Sequence, residues 1–224
     1  IRDMRYAIRD MRYAMNNETT INGVIILAAM AGWGALHTIL AALGAKARAR
    51  QWFGLRLADG LYRLLYNAVA AFTFLPVIAL VAFLPDVLLY RLPTWALAIT
   101  FPVQALSALG MVWSLWRLDL PRFVGVRQML RWMQGAPDPR DPPRLVTTGI
   151  HGWVRHPLYF FSLAILWLTP IMTVNVLALD VGITLYFWIG SIFEERKLAA
   201  EFGEAYREHQ RNVPRLFPIR ITRR

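Results

Sequence analysis

Long apolar runs separated by short polar segments dominate the chain, and each run is close to the length of a membrane-spanning helix. Such a helix needs roughly 20 apolar residues, because each residue adds about 1.5 Å to cross a hydrocarbon core of about 30 Å. Runs of this kind cover residues 21–43, 64–84, 95–116, 158–173 and 174–193. The last two adjoin directly, which predicts a hairpin turning near Pro170 and Asn175. We therefore predict an all-α, polytopic membrane protein of about five transmembrane helices with a C-terminal helical hairpin.

The same pattern divides the chain into five segments. They are residues 1–14, three transmembrane helices in 15–117, a cytoplasmic loop in 118–157, the hairpin in 158–193 and a charged, amphipathic cytoplasmic tail in 194–224. The first segment is the heptapeptide Ile-Arg-Asp-Met-Arg-Tyr-Ala repeated once without a change. A perfect tandem copy is more typical of foreign sequence left by cloning than of a structural repeat, so we interpret Met15 as the natural start.

Composition agrees with a membrane protein and limits the kinds of site it can hold. Hydrophobic residues make up 57% of the chain and the mean hydropathy is +0.38. The sequence has no cysteine, so disulfides and thiolate metal ligands are excluded, and we expect no metal site. The net charge is +11. In a membrane protein such a surplus of Arg and Lys orients loops and contacts anionic lipid, so we expect contact with membrane lipid rather than with nucleic acid.

Basic residues are concentrated on one side of the predicted helices. Lys and Arg together number five in residues 44–63, seven in 117–157 and eight in 194–224. The loop between the second and third helices holds only Arg91. Because basic loops stay in the cytoplasm, this bias predicts an external N-terminus and a cytoplasmic C-terminus.

His37, Asn67 and Asp180 are polar residues that lie at membrane depth. An ionisable side chain there is costly unless it faces the bundle or a water-filled cavity. His37 and Asp180 are therefore either hydrogen-bond partners of neighbouring helices or functional groups. We interpret Asn67 as a contact between helices.

Polar motifs flank the predicted hairpin at its cytoplasmic end. Residues 149–159 read G-I-H-G-W-V-R-H-P-L-Y, and Pro157 suits the first turn of a helix, where an N–H is not needed. Arg155 and His156 then lie at the helix start, where free backbone N–H groups favour an anion. After the hairpin, residues 194–198 read E-E-R-K-L. Since an antiparallel hairpin brings its ends together, we expect the Arg-His pair and the Glu pair to be neighbours in space.

An anion site beside two carboxylates, Glu194 and Glu195, and several aromatic rings suits a ligand that is zwitterionic, aromatic and cationic. S-adenosylmethionine is such a ligand. On this hypothesis Arg155 and His156 bind its carboxylate, while the two glutamates bind its ammonium group or ribose. The alternative is that these residues are juxtamembrane charges that anchor helix ends at the lipid headgroups.

The ordered motifs resemble the superfamily of integral membrane S-adenosylmethionine-dependent methyltransferases, which includes the isoprenylcysteine carboxyl methyltransferases and the phospholipid methyltransferases. The resemblance covers residues 149–218 and consists of G-x-x-x-x-V-R-H-P-L-Y, the hairpin, E-E-R-x-L-x-x-x-F-G-x-x-Y and V-P-x-L-F-P. A weaker similarity to bacterial methanethiol S-methyltransferases and NnrU-like proteins involves His37, Tyr62, Arg63, Tyr66, Asn67, Trp167, residues 170–173 and Tyr186.

The resemblance implies a five-helix bundle that binds S-adenosylmethionine near the cytoplasmic face. It implies cofactor-binding roles for Arg155, His156, Tyr159, Glu194, Glu195, Leu198 and Tyr206, and catalytic roles for Arg155, His156 and Glu195. Tyr159 and Tyr206 would flank the sulfonium or the adenine. His151 and His209 stand where the family commonly has tyrosine, which affects acceptor identity more than cofactor binding. If the acceptor is an amine, His151 is the candidate general base.

The methyl acceptor stays open at this point. The weaker similarity favours a small or lipophilic thiol, while carboxyl methylation of isoprenylcysteine and N-methylation of a phospholipid amine are alternatives. A different class of function is that of a non-enzymatic, NnrU-like accessory protein. Sterol reductases resemble this architecture but have more helices than this chain can form. The similarity points to a bacterial inner membrane, and the sequence predicts no oligomeric state.

Overall fold

The computed structural model describes residues 2–117, 119–136 and 145–218, with side chains from residue 17 onward. Its helices are α1 (Arg2–Ala41), α2 (Leu43–Phe53), α3 (Leu55–Phe83), α4 (Thr94–Arg117), α5 (Leu120–Val124), α6 (Val126–Met133), α7 (Pro157–Trp167), α8 (Val174–Phe202) and α9 (Glu204–Asn212). A 3-10 turn lies at Gly149–Gly152, and two short strands are β1 (Leu88–Arg91) and β2 (Ile171–Thr173). The side chains of the repeated heptapeptide, residues 1–14, lie outside the described residues, so its foreign origin stays a prediction.

Four helical segments in the described part of the chain are long and apolar enough to cross a membrane. They are Asn17–Ala41, Leu55–Phe83, Thr94–Arg117 and Val174–Phe202. The prediction of an all-α, polytopic membrane protein is therefore confirmed. The helix predicted for residues 158–173 differs, because α7 has 11 residues and reaches only about 16 Å. It is apolar but too short to span a bilayer by itself.

Helical structure extends further into the first basic loop than the apolar pattern predicted. α3 begins at Leu55 rather than near residue 64, and α2 occupies much of the preceding loop. Gly54 joins the two helices with a φ of +81°, which glycine adopts without a steric penalty. Asp59 lies 2.7 Å from Arg50 and 3.3 Å from Lys46. These opposite charges pair where α2 meets α3. Both helices can therefore include charged residues that the apolar pattern assigned to a loop.

The turn predicted near Pro170 and Asn175 is a strand pair rather than a tight connection between two helices. α7 ends at Trp167, and β2 pairs antiparallel with β1 from the loop between α3 and α4. Asn175 is fully buried there, and its side-chain amide donates to the carbonyl of Leu84 at 3.1 Å. The prediction of a fourth helix running to residue 173 is therefore wrong, because backbone pairing with β1 takes up the last three residues.

Two groups of packed helices form the bundle. α1 packs along α8 and against α3, around a core that includes Ile26, Met30 and Val77. α4 packs along α7, and a Cβ at Gly110 would lie only 2.5 Å from the Phe161 ring, so glycine allows the close approach. The start of α7 and the latter half of α8 meet between these two groups of helices. The R-H-P and E-E motifs, which flank the predicted hairpin, therefore lie close together.

The polar residues at membrane depth have different surroundings. His37 hydrogen-bonds to tyrosines of two neighbouring helices, and Asn67 donates to the carbonyl of Val124 at 2.8 Å. Both therefore connect helices, which the sequence predicted for Asn67 and left as one of two alternatives for His37. Asp180 is 1% exposed, and its Oδ2 has no hydrogen-bond partner among the described residues.

α8 continues to Phe202, beyond the predicted helix end at residue 193. Glu194 and Glu195 therefore belong to the helix itself, where each has a fixed direction relative to the bundle. Gly203, with φ +57°, ends α8 and turns the chain into α9. The segment after α9 then returns to the start of α7.

Candidate active site

The ion pair between Arg155 and Glu195 forms the centre of the candidate site. Arg155 precedes α7, and its Nε and Nη2 donate to the two carboxylate oxygens of Glu195 at 2.7 and 3.1 Å. Glu195 is 4% exposed, and the Arg155 side chain is similarly buried. A bidentate pair of this kind fixes the relative orientation of its two elements. The expected meeting of the R-H-P and E-E motifs is therefore present in the structure.

The C-terminal tail completes this ion pair. Gln210 Nε2 donates to Glu195 Oε2 at 3.0 Å, and Arg215 Nε lies 3.5 Å from the same oxygen. Arg155 Nη1 donates to the carbonyls of Gln210, at 2.8 Å, and of Val213. The backbone N–H groups of Arg155 and His156 donate to the carbonyls of Pro214 and Arg215, at 2.9 and 3.1 Å. Most of the polar capacity of Arg155 and Glu195 is thus used within the protein.

Glu194 faces a more open environment than Glu195. Its side chain is about half exposed, whereas that of Glu195 is buried. Tyr159 donates its hydroxyl to Glu194 Oε2 at 3.1 Å, and His156 Nδ1 lies 3.4 Å from that oxygen. The second carboxylate oxygen of Glu194 has no hydrogen bond or ion pair among the described residues, and the side chain is half exposed, so this oxygen is accessible.

Three aromatic rings form a stack beside Glu194. The Tyr159 ring is parallel to His156, with centroids 5.3 Å apart, and to Phe187 of α8, with centroids 4.4 Å apart. The stack therefore connects α7 to α8 through face-to-face contact as well as through hydrogen bonds. It places aromatic rings next to a carboxylate, a combination that suits a cationic ligand with an aromatic group.

His156 has a carboxylate at each ring nitrogen. Its Nε2 lies 3.2 Å from Glu195 Oε1, and its Nδ1 faces Glu194. Burial opposes the charged imidazolium, but the hydrogen bonds to Glu194 and Glu195 outweigh it and raise the pKa of His156 above its ordinary value. The protonated form is therefore favoured, and His156 offsets part of the negative charge of the two glutamates.

A second polar cluster is formed by His151 of the 3-10 turn and by Tyr206 and His209 of α9, and it is buried. Each residue is less than a tenth exposed. Burial, and then the nearby positive charge of His209, lowers the pKa of His151, while burial, followed by Arg155, lowers that of His209. Burial also raises the pKa of the Tyr206 hydroxyl. The Tyr206 hydroxyl and His151 Nδ1 have no hydrogen-bond partner among the described residues, so each keeps an unused hydrogen-bonding group.

The structure thus brings together most of the residues that the sequence singled out. Leu198 is half-buried on α8, four residues after Glu194 and therefore on the same face. Sequence reasoning did not identify Phe187, Gln210 or Arg215 as parts of the site. Arg215 stands within the V-P-R-L-F-P motif, which was a usable signal, whereas nothing in the sequence marks Phe187 or Gln210. Whether any of these residues binds a cofactor stays a prediction.

Comparison with known proteins relates the chain to bacterial enzymes. It is 27% identical to methanethiol S-methyltransferase 1 of Bradyrhizobium diazoefficiens over 206 residues, which are 91% of this chain and 70% of that protein. Methanethiol S-methyltransferase 2 of the same organism is 32% identical over 59% of this chain and 52% of its own length. The methanethiol S-methyltransferase of Mycobacterium tuberculosis is 39% identical over 31% of this chain and 28% of its own.

No family model and no solved structure matches the chain. The relatives nevertheless share one activity, and the longest of these alignments covers nearly the whole sequence. The membrane-length helices agree with a protein of that kind. These similarities support a membrane methyltransferase of the isoprenylcysteine carboxyl methyltransferase-like kind.

Proposed function

We propose that the chain transfers the methyl group of S-adenosylmethionine to a small or lipophilic thiol at the end of the bundle where α7 begins. One observation carries the proposal: the buried pair of Arg155 and Glu195 holds His156, Tyr159 and the half-exposed Glu194 together in one place. The names of the relatives supply the acceptor class, since each is a methanethiol S-methyltransferase.

The residues present fit S-adenosylmethionine, and their contacts suggest how to divide the roles. Arg155 and Glu195 satisfy each other and the tail, so we assign them to holding the site in shape. Glu194 has an accessible carboxylate, which suits the ammonium group or the ribose of the donor. The unpartnered Tyr206 hydroxyl and His151 Nδ1 offer further hydrogen bonds.

The donor supplies an activated methyl group on a positively charged sulfur, so the chain has little bond-making chemistry of its own to perform. Its residues bind and orient the two reactants, an effect that can reach about 7–11 kcal/mol when the geometry is favourable. Phe187, at the end of the stack, is the ring against which a cationic or aromatic group can pack. The apolar helices around them exclude water from the acceptor.

The acceptor and the surroundings are part of the same proposal. A small thiol enters from the membrane or the cytoplasm, and the protein lies in a bacterial inner membrane with its N-terminus outside and its C-terminus in the cytoplasm. This orientation is supported by the excess of Lys and Arg in residues 44–63, 117–157 and 194–224. Isoprenylcysteine and phospholipid amines are the acceptors to compare against the thiol.

Calorimetric binding of S-adenosylhomocysteine, the product of the donor, tests the proposal. The detergent-purified protein should bind it in the micromolar range, and Glu194→Gln should weaken binding because the accessible negative charge is lost. Glu201→Gln removes an exposed carboxylate from the same helix and should leave binding unchanged. If stable, monodisperse protein binds none of it, the methyltransferase proposal fails and an NnrU-like accessory role becomes the better account.

A further inference from the structure

A second constellation surrounds His37, away from the carboxylate network. The hydroxyl of Tyr66, on α3, lies 2.5 Å from His37 Nε2 and 3.1 Å from its Nδ1. The hydroxyl of Tyr186, on α8, lies 2.5 Å from His37 Nδ1. Trp33 stacks on the imidazole, with ring centroids 5.2 Å apart. A Cβ at Gly34 would come within 3.0 Å of the Tyr186 ring, so a glycine there lets the ring pack against α1. Three helices therefore converge on one imidazole.

Both hydrogen-bond partners of this imidazole are uncharged hydroxyls. In a neutral imidazole one ring nitrogen donates a proton and the other accepts one. One of the two tyrosines therefore donates to His37, and the other accepts from it. The tyrosine that donates keeps lone pairs on its oxygen. It can accept a proton from a ligand while it passes its own proton to the ring.

A row of aromatic rings joins this constellation to the candidate active site. Tyr186 and its neighbour Phe187 have ring centroids 6.0 Å apart, and Phe187 stacks on Tyr159. Tyr159 in turn donates to Glu194. A small molecule held between His37 and this row would lie beside the residues assigned to the methyl donor.

The other histidines are less suited to accept a proton from an acceptor. His156 has a carboxylate at each nitrogen, and these contacts already favour its protonated form. His151 and His209 are buried in the 3-10 turn and in α9. His37 is the histidine that lies on a membrane-spanning helix, where a lipophilic thiol would enter.

We propose that His37, Tyr66 and Tyr186 form the acceptor pocket and that His37 takes up the proton of the acceptor thiol. The inference rests on the proposed function. The S–H bond of the thiol breaks, its proton passes to the tyrosine oxygen, and the tyrosine's own proton passes to His37. The electron pair left on the thiol sulfur forms the new bond to the methyl carbon. The bond between that carbon and the donor sulfur breaks, and its electron pair stays on the donor sulfur.

Two thiols of different acidity test the proposal. Ethanethiol is almost fully protonated at neutral pH and needs a base, whereas thiophenol is largely ionised without help. Glutamine at position 37 keeps hydrogen-bonding groups but accepts no proton at neutral pH. In His37→Gln, turnover of ethanethiol should fall by about 100-fold or more, the usual size of a general-base effect. Turnover of thiophenol should change by only a few-fold, and calorimetric binding of S-adenosylhomocysteine should equal that of the wild type.

Tyrosine variants keep the test decisive should His37→Gln fold poorly. At least one of Tyr66→Phe and Tyr186→Phe should slow ethanethiol turnover selectively. Tyr62→Phe is the matched control, because its hydroxyl donates to the carbonyl of Leu40 at 2.6 Å and not to His37. Equal losses on both thiols with intact binding of S-adenosylhomocysteine would overturn the acceptor pocket alone. A wild-type protein that binds no S-adenosylhomocysteine would overturn the proposed function, and this inference with it.

Discussion

Two polar constellations lie at the same end of the bundle, and they differ in charge. Around Glu195, two arginines and a histidine surround a buried carboxylate. Around His37, two tyrosine hydroxyls and a tryptophan ring surround an imidazole, and no charged side chain of the described residues forms an ion pair with it. Each joins elements that are far apart in the sequence, since 149 positions separate His37 from Tyr186 and 40 separate Arg155 from Glu195.

This difference in charge indicates what each constellation can do. A buried ion pair whose donors and acceptors are satisfied holds elements together, and removing one partner leaves the other charge without compensation. A neutral imidazole between hydroxyls can gain a proton without breaking an ion pair. We therefore expect variants of the Glu195 network to change stability and donor binding, and variants of the His37 constellation to change turnover.

Removal of the Arg155 side chain should have the largest effect on stability. Arg155→Ala leaves Glu195 buried with fewer positive partners and frees the carbonyls of Gln210 and Val213. The free energy of unfolding should fall by about 3–5 kcal/mol, the typical cost of breaking a buried pair. Thermal unfolding in detergent measures the change.

An exposed arginine of the tail is the control for this variant. Arg207 is 64% exposed and lies 3.9 Å from Glu204, so Arg207→Ala should cost less than about 1 kcal/mol. If both variants unfolded at the same temperature, the Arg155–Glu195 pair would not be what holds the tail.

Two phenylalanine variants should test how much the His37 constellation contributes to stability. Tyr62→Phe and Tyr66→Phe each remove one hydroxyl that makes a hydrogen bond at 2.5–2.6 Å, to Leu40 and to His37 respectively. Each should lower the free energy of unfolding by about 0.5–1.5 kcal/mol, the usual net value of such a bond. Thermal unfolding should thus place the two variants close together. A much larger loss in Tyr66→Phe would indicate that His37 mainly holds helices together.

Loss of the Tyr159 hydroxyl should have a smaller effect, confined to donor binding. Tyr159→Phe keeps the ring between His156 and Phe187 and removes only the hydrogen bond to Glu194. Calorimetry should show S-adenosylhomocysteine bound about 2- to 10-fold more weakly, which corresponds to about 0.5–1.5 kcal/mol. Tyr90→Phe, at an exposed tyrosine of β1, should bind as the wild type does. An unchanged affinity in Tyr159→Phe would place Glu194 outside the donor site.

The pH dependence of stability should report His156, and this effect should be the smallest. The pKa of His156 is raised in the folded protein, so protonation stabilises the fold below about pH 6.5, and that stabilisation is lost as pH rises through the folded pKa. His151 and His209 have lowered pKa values, so their contribution is present above about pH 6.5 and is lost as pH falls. The melting temperature should therefore decrease more steeply above that pH in the wild type than in His156→Gln. Parallel curves would mean that His156 is not charged in the fold.

The membrane helices could be predicted from the sequence because spanning length depends on local composition. A run of about 20 apolar residues has few other stable structures, and α4 follows the predicted 95–116 within one residue at each end. The α7 boundary could not be predicted in this way. Residues 168–173 are mostly apolar, as the end of a membrane helix would be. Only the position of β1 decides that Ile171–Thr173 pair as a strand.

The meeting of the R-H-P and E-E motifs was predictable for a related reason. A hairpin returns the chain to its starting level, so the two motifs had to lie at one end of it. Their individual roles were not predictable, because Arg155 and Glu195 could each have faced a ligand or each other. The tail residue Gln210 and the carbonyl of Val213 decide this by using the remaining polar capacity of the pair.

The sequence by itself thus determined an all-α membrane protein, the approximate helix positions and the end of the bundle where its polar motifs meet. Hydrophobic length and chain continuity suffice for these features. Only the tertiary structure decided that Glu195 is enclosed while Glu194 is accessible, and that Tyr66 and Tyr186 meet at His37. Such pairings depend on how helices rotate and pack against one another, which local composition does not specify.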